Sequence, residues 1–383
     1  MELKYYNSYL EVDLDVIREN LRKAQRHLAP AGIIPVCKGD ALGMGAVPVA
    51  RVLRDEFGFQ LIAVAQMCEA IRLREAGFTD VGILVMGGVP AHVLPYAVSC
   101  DIQTAAFRPE AVRALDELAI AAGKTARVHV KLETGLNRIG ARPGAELDAL
   151  VAALKAAKRM HVSGVFTQYS ACAANGDPFT YEQYGGFKQG VDQLRAGGFN
   201  PQYVHSCSTG AAVWFREGQA DAAYCTHVRF GSLYFGQGQL ADGGNPLGVN
   251  EPESWRAFVT NVHAIKNGES VGYGRHFIAP KDMRVATISI GYADGLLRAL
   301  AMDQGAVLIN NIKTRYLATC MDQTFVDVTG IGCAIGDEAT IFGRDRTGTA
   351  HLPLLELEKH TGQAVGYIMS SVGSRVLRVY KNQ

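Results

Sequence analysis

No stretch of this sequence approaches about eighteen uncharged apolar residues in a row, so no membrane-spanning helix is expected. Residues 1–30 carry charges throughout and lack an apolar core, which leaves no candidate export signal there. The eight cysteines are scattered without a single CxxC pair, which argues against a zinc site or a disulfide framework. Reduced, mostly buried thiols in a cytoplasmic protein are expected instead. Net charge is nearly absent: a formal +1 provides neither a basic field for nucleic acid nor an acidic tail. A phosphate-bearing small molecule stays open, because backbone amides and helix ends bind one without net charge. No internal repeat is evident.

What is present is a globular composition, 48% hydrophobic and 20% charged, over 383 residues, a length that suits two domains. The first two-thirds alternates short apolar runs at 33–38, 61–65, 81–86, 102–104, 127–132, 162–166, 203–206 and 228–230 with amphipathic runs at 14–28, 47–55, 68–76, 109–122, 146–158 and 181–196. Apolar strands interleaved with helices imply parallel pairing with both faces covered. Eight units in about 230 residues match a (β/α)8 TIM-type barrel, and the strand count argues against the competing doubly wound open sheet. The pattern changes after Gly236: 237–250 is rich in Gly, Asn and Pro and reads as a linker. Beyond it, strand patterns at 258–265, 283–289, 306–309, 313–318, 325–327, 338–341 and 374–379, with one helical run at 354–361, describe a mostly antiparallel β domain. The expected division is a barrel over 14–236 and a β domain over 237–383, joined by residues 1–13, whose segment 8–13 alternates like a strand.

In a barrel, functional groups gather where strands end. Lys38 ends the first apolar run, after Val36-Cys37 and before the glycine-bearing Gly39-Asp40-Ala41-Leu42-Gly43-Met44-Gly45. A buried strand-end ammonium is costly, and a Schiff base to a cofactor aldehyde removes that cost. A rim lysine with its ammonium in water fits the same spacing.

The run from Val36 to Gly45 resembles the cofactor-lysine motif of the alanine racemase family. Further signatures of that family follow in order: Lys131-Leu132-Glu133-Thr134-Gly135-Leu136-Asn137-Arg138-Ile139-Gly140, Val228-Arg229-Phe230-Gly231, Val271-Gly272-Tyr273-Gly274-Arg275, Ile290-Gly291-Tyr292-Ala293-Asp294-Gly295 and Met321-Asp322-Gln323. The resemblance spans nearly the whole chain. It implies a barrel with a β domain, pyridoxal 5'-phosphate as cofactor, and two-base racemisation of a small amino acid. Lys38 is then one base. Tyr273 matches the other, contributed by the β domain of the second subunit of a homodimer with shared active sites. Arg229 matches the arginine facing the pyridine nitrogen; always protonated, it donates and cannot accept. Arg138 matches the arginine near the substrate carboxylate, and Lys131 a lysine carbamylated in several relatives, although Glu133 replaces the usual aspartate. Ser208, Thr209, Gly231, Ser232 and Tyr367 match the phosphate surroundings. Met321 and Asp322 are expected across the subunit interface, on the substrate side.

Three departures accompany the resemblance. Leu42 stands where relatives carry a phosphate-binding tyrosine, Gln168 where they carry a histidine beside the cofactor ring, and Ser374 where a tyrosine narrows the substrate pocket. A hydroxyl in place of that ring predicts a wider, more polar pocket and activity on serine as well as, or instead of, alanine. A racemase for another amino acid and a non-catalytic pyridoxal-phosphate carrier are the alternatives on this fold. A decarboxylase is opposed by Arg229, since strengthening the electron sink needs an acidic partner at the ring nitrogen. No metal is expected.

Overall fold

The computed structural model describes residues 3–172, 177–236 and 245–383. Of the expected linker, residues 237–244 lie outside the described residues.

Strand β1 (Ser8–Asp13) leads into a helix, Leu14–Leu28, whose first turn is capped by Asp13 accepting from Asp15 N at 3.0 Å. Its buried residues Leu14, Ile17, Leu21, Ala24 and Leu28 recur every three or four positions and face the barrel. Eight parallel strands follow: β2 (Gly32–Pro35), β3 (Leu61–Val64), β4 (Gly82–Val85), β5 (Gln103–Ala106), β6 (Ala126–Lys131), β7 (Met160–Phe166), β8 (Tyr203–His205) and β9 (His227–Phe230). The strands β3 to β8 form one parallel sheet in sequence order, and β2 pairs with β9. Cys37 N to Ala63 O at 2.8 Å and Arg229 N to Cys207 O at 3.0 Å join the two sheets into one ring. Most residues of these strands are buried on both faces, hence their continuous apolar runs.

The remaining strands build the β domain: β10 (Glu253–Ile265), β11 (Ser270–Val271), β12 (Phe277–Ile278), β13 (Met283–Ile288), β14 (Ala306–Ile309), β15 (Ile312–Thr319), β16 (Thr324–Asp327), β17 (Glu338–Arg344), β18 (His351–Leu352) and β19 (Leu377–Lys381). The long strand β10 pairs with both β13 and β17, which closes an antiparallel barrel through β14, β15 and β16. Strand β1 lies between β10, antiparallel, and β19, parallel. The chain therefore visits the β domain before it enters the first barrel.

The amphipathic patterns located the longer helices to within a few residues. Short helices at Pro95–Ser99, Thr209–Trp214, Arg216–Ala220 and Val365–Ser371 carry too few turns to show a period, and none was expected.

Candidate active site

Strand β2 delivers Lys38 to the carboxyl-terminal mouth of the barrel. Val36 N bonds to Phe230 O and Cys37 N to Ala63 O, so the ladder holds the backbone up to the residue before Lys38. Gly39, Asp40, Ala41, Leu42 and Gly43 then all take positive φ, between 53° and 88°. For the three non-glycine residues the left-handed conformation costs about 1–2 kcal/mol each, so neighbours must hold it. The Glu69 carboxylate accepts from Gly39 N at 2.5 Å and from Ala65 N and Gln66 N at 2.8 and 2.9 Å. Asp40 Oδ1 accepts from Ala46 N at 2.7 Å, inside the same loop. From β19, Arg378 Nε donates to Gly43 O at 2.8 Å and Tyr380 OH to Met44 O at 2.9 Å. The lysine loop is thus clamped by the barrel at one end and by the β domain at the other.

A cavity of about 600 Å³ opens at this mouth. Among the described residues its lining includes four basic side chains, Lys38, Lys131, Arg138 and Arg229, and no aspartate or glutamate. Burial, then Arg138 and Arg229, lower the basicity of the Lys38 amine below that of an ordinary lysine. Lys131, at 3% exposure, donates to Leu132 O at 3.1 Å, and burial followed by Arg229 brings its pKa down to about 7. The neighbouring Glu133 does not pair with it, because its carboxylate accepts from Gly135 N at 2.6 Å and Arg138 N at 3.2 Å.

Arg229 is buried, and no carboxylate among the described residues is bonded to it. Its Nη1 donates to His205 O and, at 3.1 Å, to His205 Nδ1; its Nη2 donates to Thr167 O, Ser206 O and Gln168 Oε1 at 2.7, 3.2 and 3.3 Å. Burial brings its pKa down to about 10, so it remains protonated at neutral pH. Gln168 also donates from Nε2 to Ser208 Oγ at 3.2 Å, tying Arg229 to the wall made by Ser208, Thr209, Gly210, Gly231 and Ser232. Within that wall Gly231 N donates to Thr209 Oγ1 at 3.1 Å. Leu42 completes the lining above Lys38 and offers no hydrogen-bonding group.

The remaining expected residues are not at the cavity of their own chain. Tyr273, 82% exposed, stands on the surface of the β domain, and Met321 and Asp322 are exposed there too. Tyr367 is exposed, although its neighbour Gly366 lines the cavity. Ser374 sits in an exposed turn before β19 and does not line the cavity, so its hydroxyl adds no polar group to the wall of its own chain. Conversely, sequence reasoning missed Glu69, His129, His205 and Gln103. His129 and His205 sit on strand patterns where an inward polar side chain breaks an apolar run, and that interruption was the available signal.

Residues 12–239 match the family model "Alanine racemase, N-terminal domain", and residues 253–380 match "Alanine racemase, C-terminal domain". An alanine racemase of Geobacter sulfurreducens is 32% identical over 378 residues, covering 97% of this chain and 96% of that protein. One from Desulfovibrio desulfuricans is 32% identical over 374 residues, covering 97% of each. The solved structure of an alanine racemase from Streptomyces coelicolor superposes with a TM-score of 0.91 at 28% identity, covering 98% of each chain.

Proposed function

This chain belongs to the alanine racemase family, and from that premise we propose that it interconverts L- and D-alanine with pyridoxal 5'-phosphate held in the barrel-mouth cavity. The observation that carries the reading is a cavity lined, among the described residues, by two arginines, two lysines of reduced basicity and no carboxylate. Such a lining suits a phosphate and an amino-acid carboxylate together, and the amine suits an aldehyde.

The residues fit that cofactor. Lys38 would hold it covalently, and Arg229 faces the cavity with Nε as the guanidinium nitrogen bonded to no described residue. Ser208, Thr209, Gly231 and Ser232, with Tyr367 beside the lining residue Gly366 in the helix Val365–Ser371, are the phosphate side, and Gln168 braces Arg229 against it. When bound, the cofactor supplies an aldehyde for an amine and a conjugated ring that draws electrons from the substrate's α-carbon. An arginine facing the ring donates a hydrogen bond without transferring its proton, which keeps that withdrawal moderate and limits side reactions.

The chain's own groups then move the proton. Lys38 Nζ, released by the substrate amine, takes or gives the α-proton on one face. The Tyr273 hydroxyl of a second copy does so on the other, which makes the working unit a homodimer with two shared sites. Tyr273, Met321 and Asp322, exposed on the β domain of each chain, suit a role at the mouth of the other chain's barrel. Arg138 holds the substrate carboxylate. Lys131, partly neutral near pH 7, can add carbon dioxide with loss of one proton, and the resulting carbamate anion would orient Arg138.

Alanine is favoured over serine because the similar proteins are named alanine racemases. Among the described residues no helix is long and apolar enough to cross a membrane, in keeping with work in the cytoplasm. The deciding measurement is D-alanine formation from L-alanine by purified protein with added pyridoxal phosphate, beside Lys38→Ala. Equal rates from the two proteins, or no D-alanine from either, sink the proposal. A higher kcat/KM for L-serine than for L-alanine would revive the serine reading.

A further inference from the structure

We propose that His205, His129 and Gln103 form a one-way series of hydrogen bonds that positions the Arg229 guanidinium, making both histidines positioning residues for the cofactor ring. This rests on the reading of Arg229 as the group facing that ring. The series runs down the barrel interior: Arg229 Nη1 to His205 Nδ1 at 3.1 Å, His205 Nε2 to His129 Nδ1 at 2.8 Å, His129 Nε2 to Gln103 Oε1 at 3.0 Å.

Its direction follows from the first member. An arginine only donates, so His205 Nδ1 carries no proton and accepts. A neutral His205 then holds its proton on Nε2 and donates to His129 Nδ1. His129 in turn holds its proton on Nε2 and donates to Gln103 Oε1. Each link determines the next, and both rings are the Nε2–H tautomer.

Protonating either ring would break the pattern. An imidazolium at His205 would turn a donor toward the Arg229 donors, and an imidazolium at His129 would turn one toward His205. The surroundings oppose both. Burial, then Arg229, hold His205 well below the usual histidine range, and burial, then His227, bring His129 down to about 3. Lys131 and His227 also face His205 and act in the same direction.

Packing fixes the rings as well as the bonds. His205 stacks on Phe166, with centroids 4.9 Å apart and planes 3° from parallel, and His129 stacks on Tyr203 at 5.6 Å. A Cβ at Gly164 would lie 2.2 Å from His129 Nδ1, so only glycine there leaves the ring in place. With Nη1 and Nη2 bonded to protein acceptors, the guanidinium plane cannot turn, and Nε is the nitrogen left for the cavity.

The tautomers are read directly from imidazole 15N spectra of the unsubstituted full-length protein with labelled histidine, from about pH 6 to about pH 8. His129 and His205 are expected to show a protonated Nε2 and a bare Nδ1 throughout. An imidazolium, or an Nδ1–H form of either, overturns the series without reference to any cofactor. The positioning role is tested by two substitutions of similar size. His205→Asn keeps an acceptor toward Arg229 and loses the donor toward His129; His205→Gln does the reverse. Pyridoxal phosphate dissociation constants, by equilibrium dialysis, are expected to rise about tenfold for His205→Gln, which loses the bond to Arg229 itself, and about threefold for His205→Asn, which keeps that bond but cuts it off from His129. Equal weakening by both, or none by His205→Asn, overturns the positioning role of the series. If no form binds pyridoxal phosphate, the unsubstituted protein included, the functional reading fails, while the spectra still decide the tautomers.

Discussion

The Gly39 backbone N–H donates to Glu69 Oε1 at 2.5 Å, one residue beyond Lys38. Glu69 opens the helix after β3, and its other oxygen caps Ala65 N and Gln66 N. One carboxylate therefore joins two adjacent βα loops and holds the left-handed turn in register with Lys38. Glu69→Gln replaces an acceptor by an amide donor facing a backbone N–H. A loss of about 1–3 kcal/mol in unfolding free energy is expected. Weaker pyridoxal-phosphate binding should accompany it. Denaturant titration and cofactor titration of the same preparation check both, and unchanged cofactor affinity would show that the clamp does not govern Lys38.

Tyr273 is exposed and off the cavity of its own chain, so under the proposed role in another copy's site its removal has a signature distinct from general damage. Tyr273→Phe is expected to lower kcat by about 100-fold to 10,000-fold in both directions, the range for losing a positioned acid–base group. Exchange of the α-hydrogen with deuterated water should persist for one enantiomer of alanine, through Lys38, and fail for the other. Mixing inactive Lys38→Ala with inactive Tyr273→Phe should restore roughly a quarter of normal activity, because half the dimers are mixed and each has one intact site. No recovery after subunit exchange would rule out shared sites.

Leu42 lines the cavity with an aliphatic side chain, at the position where the family resemblance implies a phosphate-binding tyrosine. Leu42→Tyr is expected to tighten pyridoxal-phosphate binding by about threefold to tenfold, the worth of one added hydrogen bond. A change in the dissociation constant with kcat unaltered would identify the effect as cofactor retention. No tightening would show that the phosphate lies beyond reach of residue 42.

Lys131 makes stability depend on pH with a definite sign. Its folded pKa of about 7 lies below the 10.5 of a free lysine, so between these values the unfolded chain binds more protons. Stability then rises with pH across that window, and the burial penalty is fully present below about pH 7. Lys131→Met removes the penalty and is expected to stabilise the protein by about 2 kcal/mol at pH 6, with the advantage shrinking toward pH 10. Denaturant midpoints at the two pH values, with carbon dioxide excluded so that Lys131 stays a free amine, check it; a constant difference would mean that Lys131 is not the titrating group.

The first barrel and the antiparallel character of the β domain were legible because their signals are local; the closure of the second into a barrel was not. The strand β3 reads as a continuous apolar run and Leu14–Leu28 as a period-3.6 face, and these patterns follow directly from what each element buries. Strand β1 was legible as an alternating segment, yet its partners β10 and β19 lie more than 240 residues away in sequence. Lys38 stood out as a charge ending an apolar run, and the ordered motifs identified Arg138, Arg229 and Tyr273.

The sequence by itself thus determined the fold class, the family and the lysine proposed to hold the cofactor, since these depend on residue type and order. Only the tertiary structure decided which groups surround that lysine. Glu69, Arg378 and Tyr380 hold its loop from distant elements, and His205 and His129 reach Arg229 through the barrel interior. Neither arrangement leaves a periodic trace, because a hydrogen bond between remote side chains imposes nothing on the residues beside them. The same holds for Ser374: its alignment suggested a pocket wall, and the turn before β19 leaves it exposed, outside the cavity of its own chain.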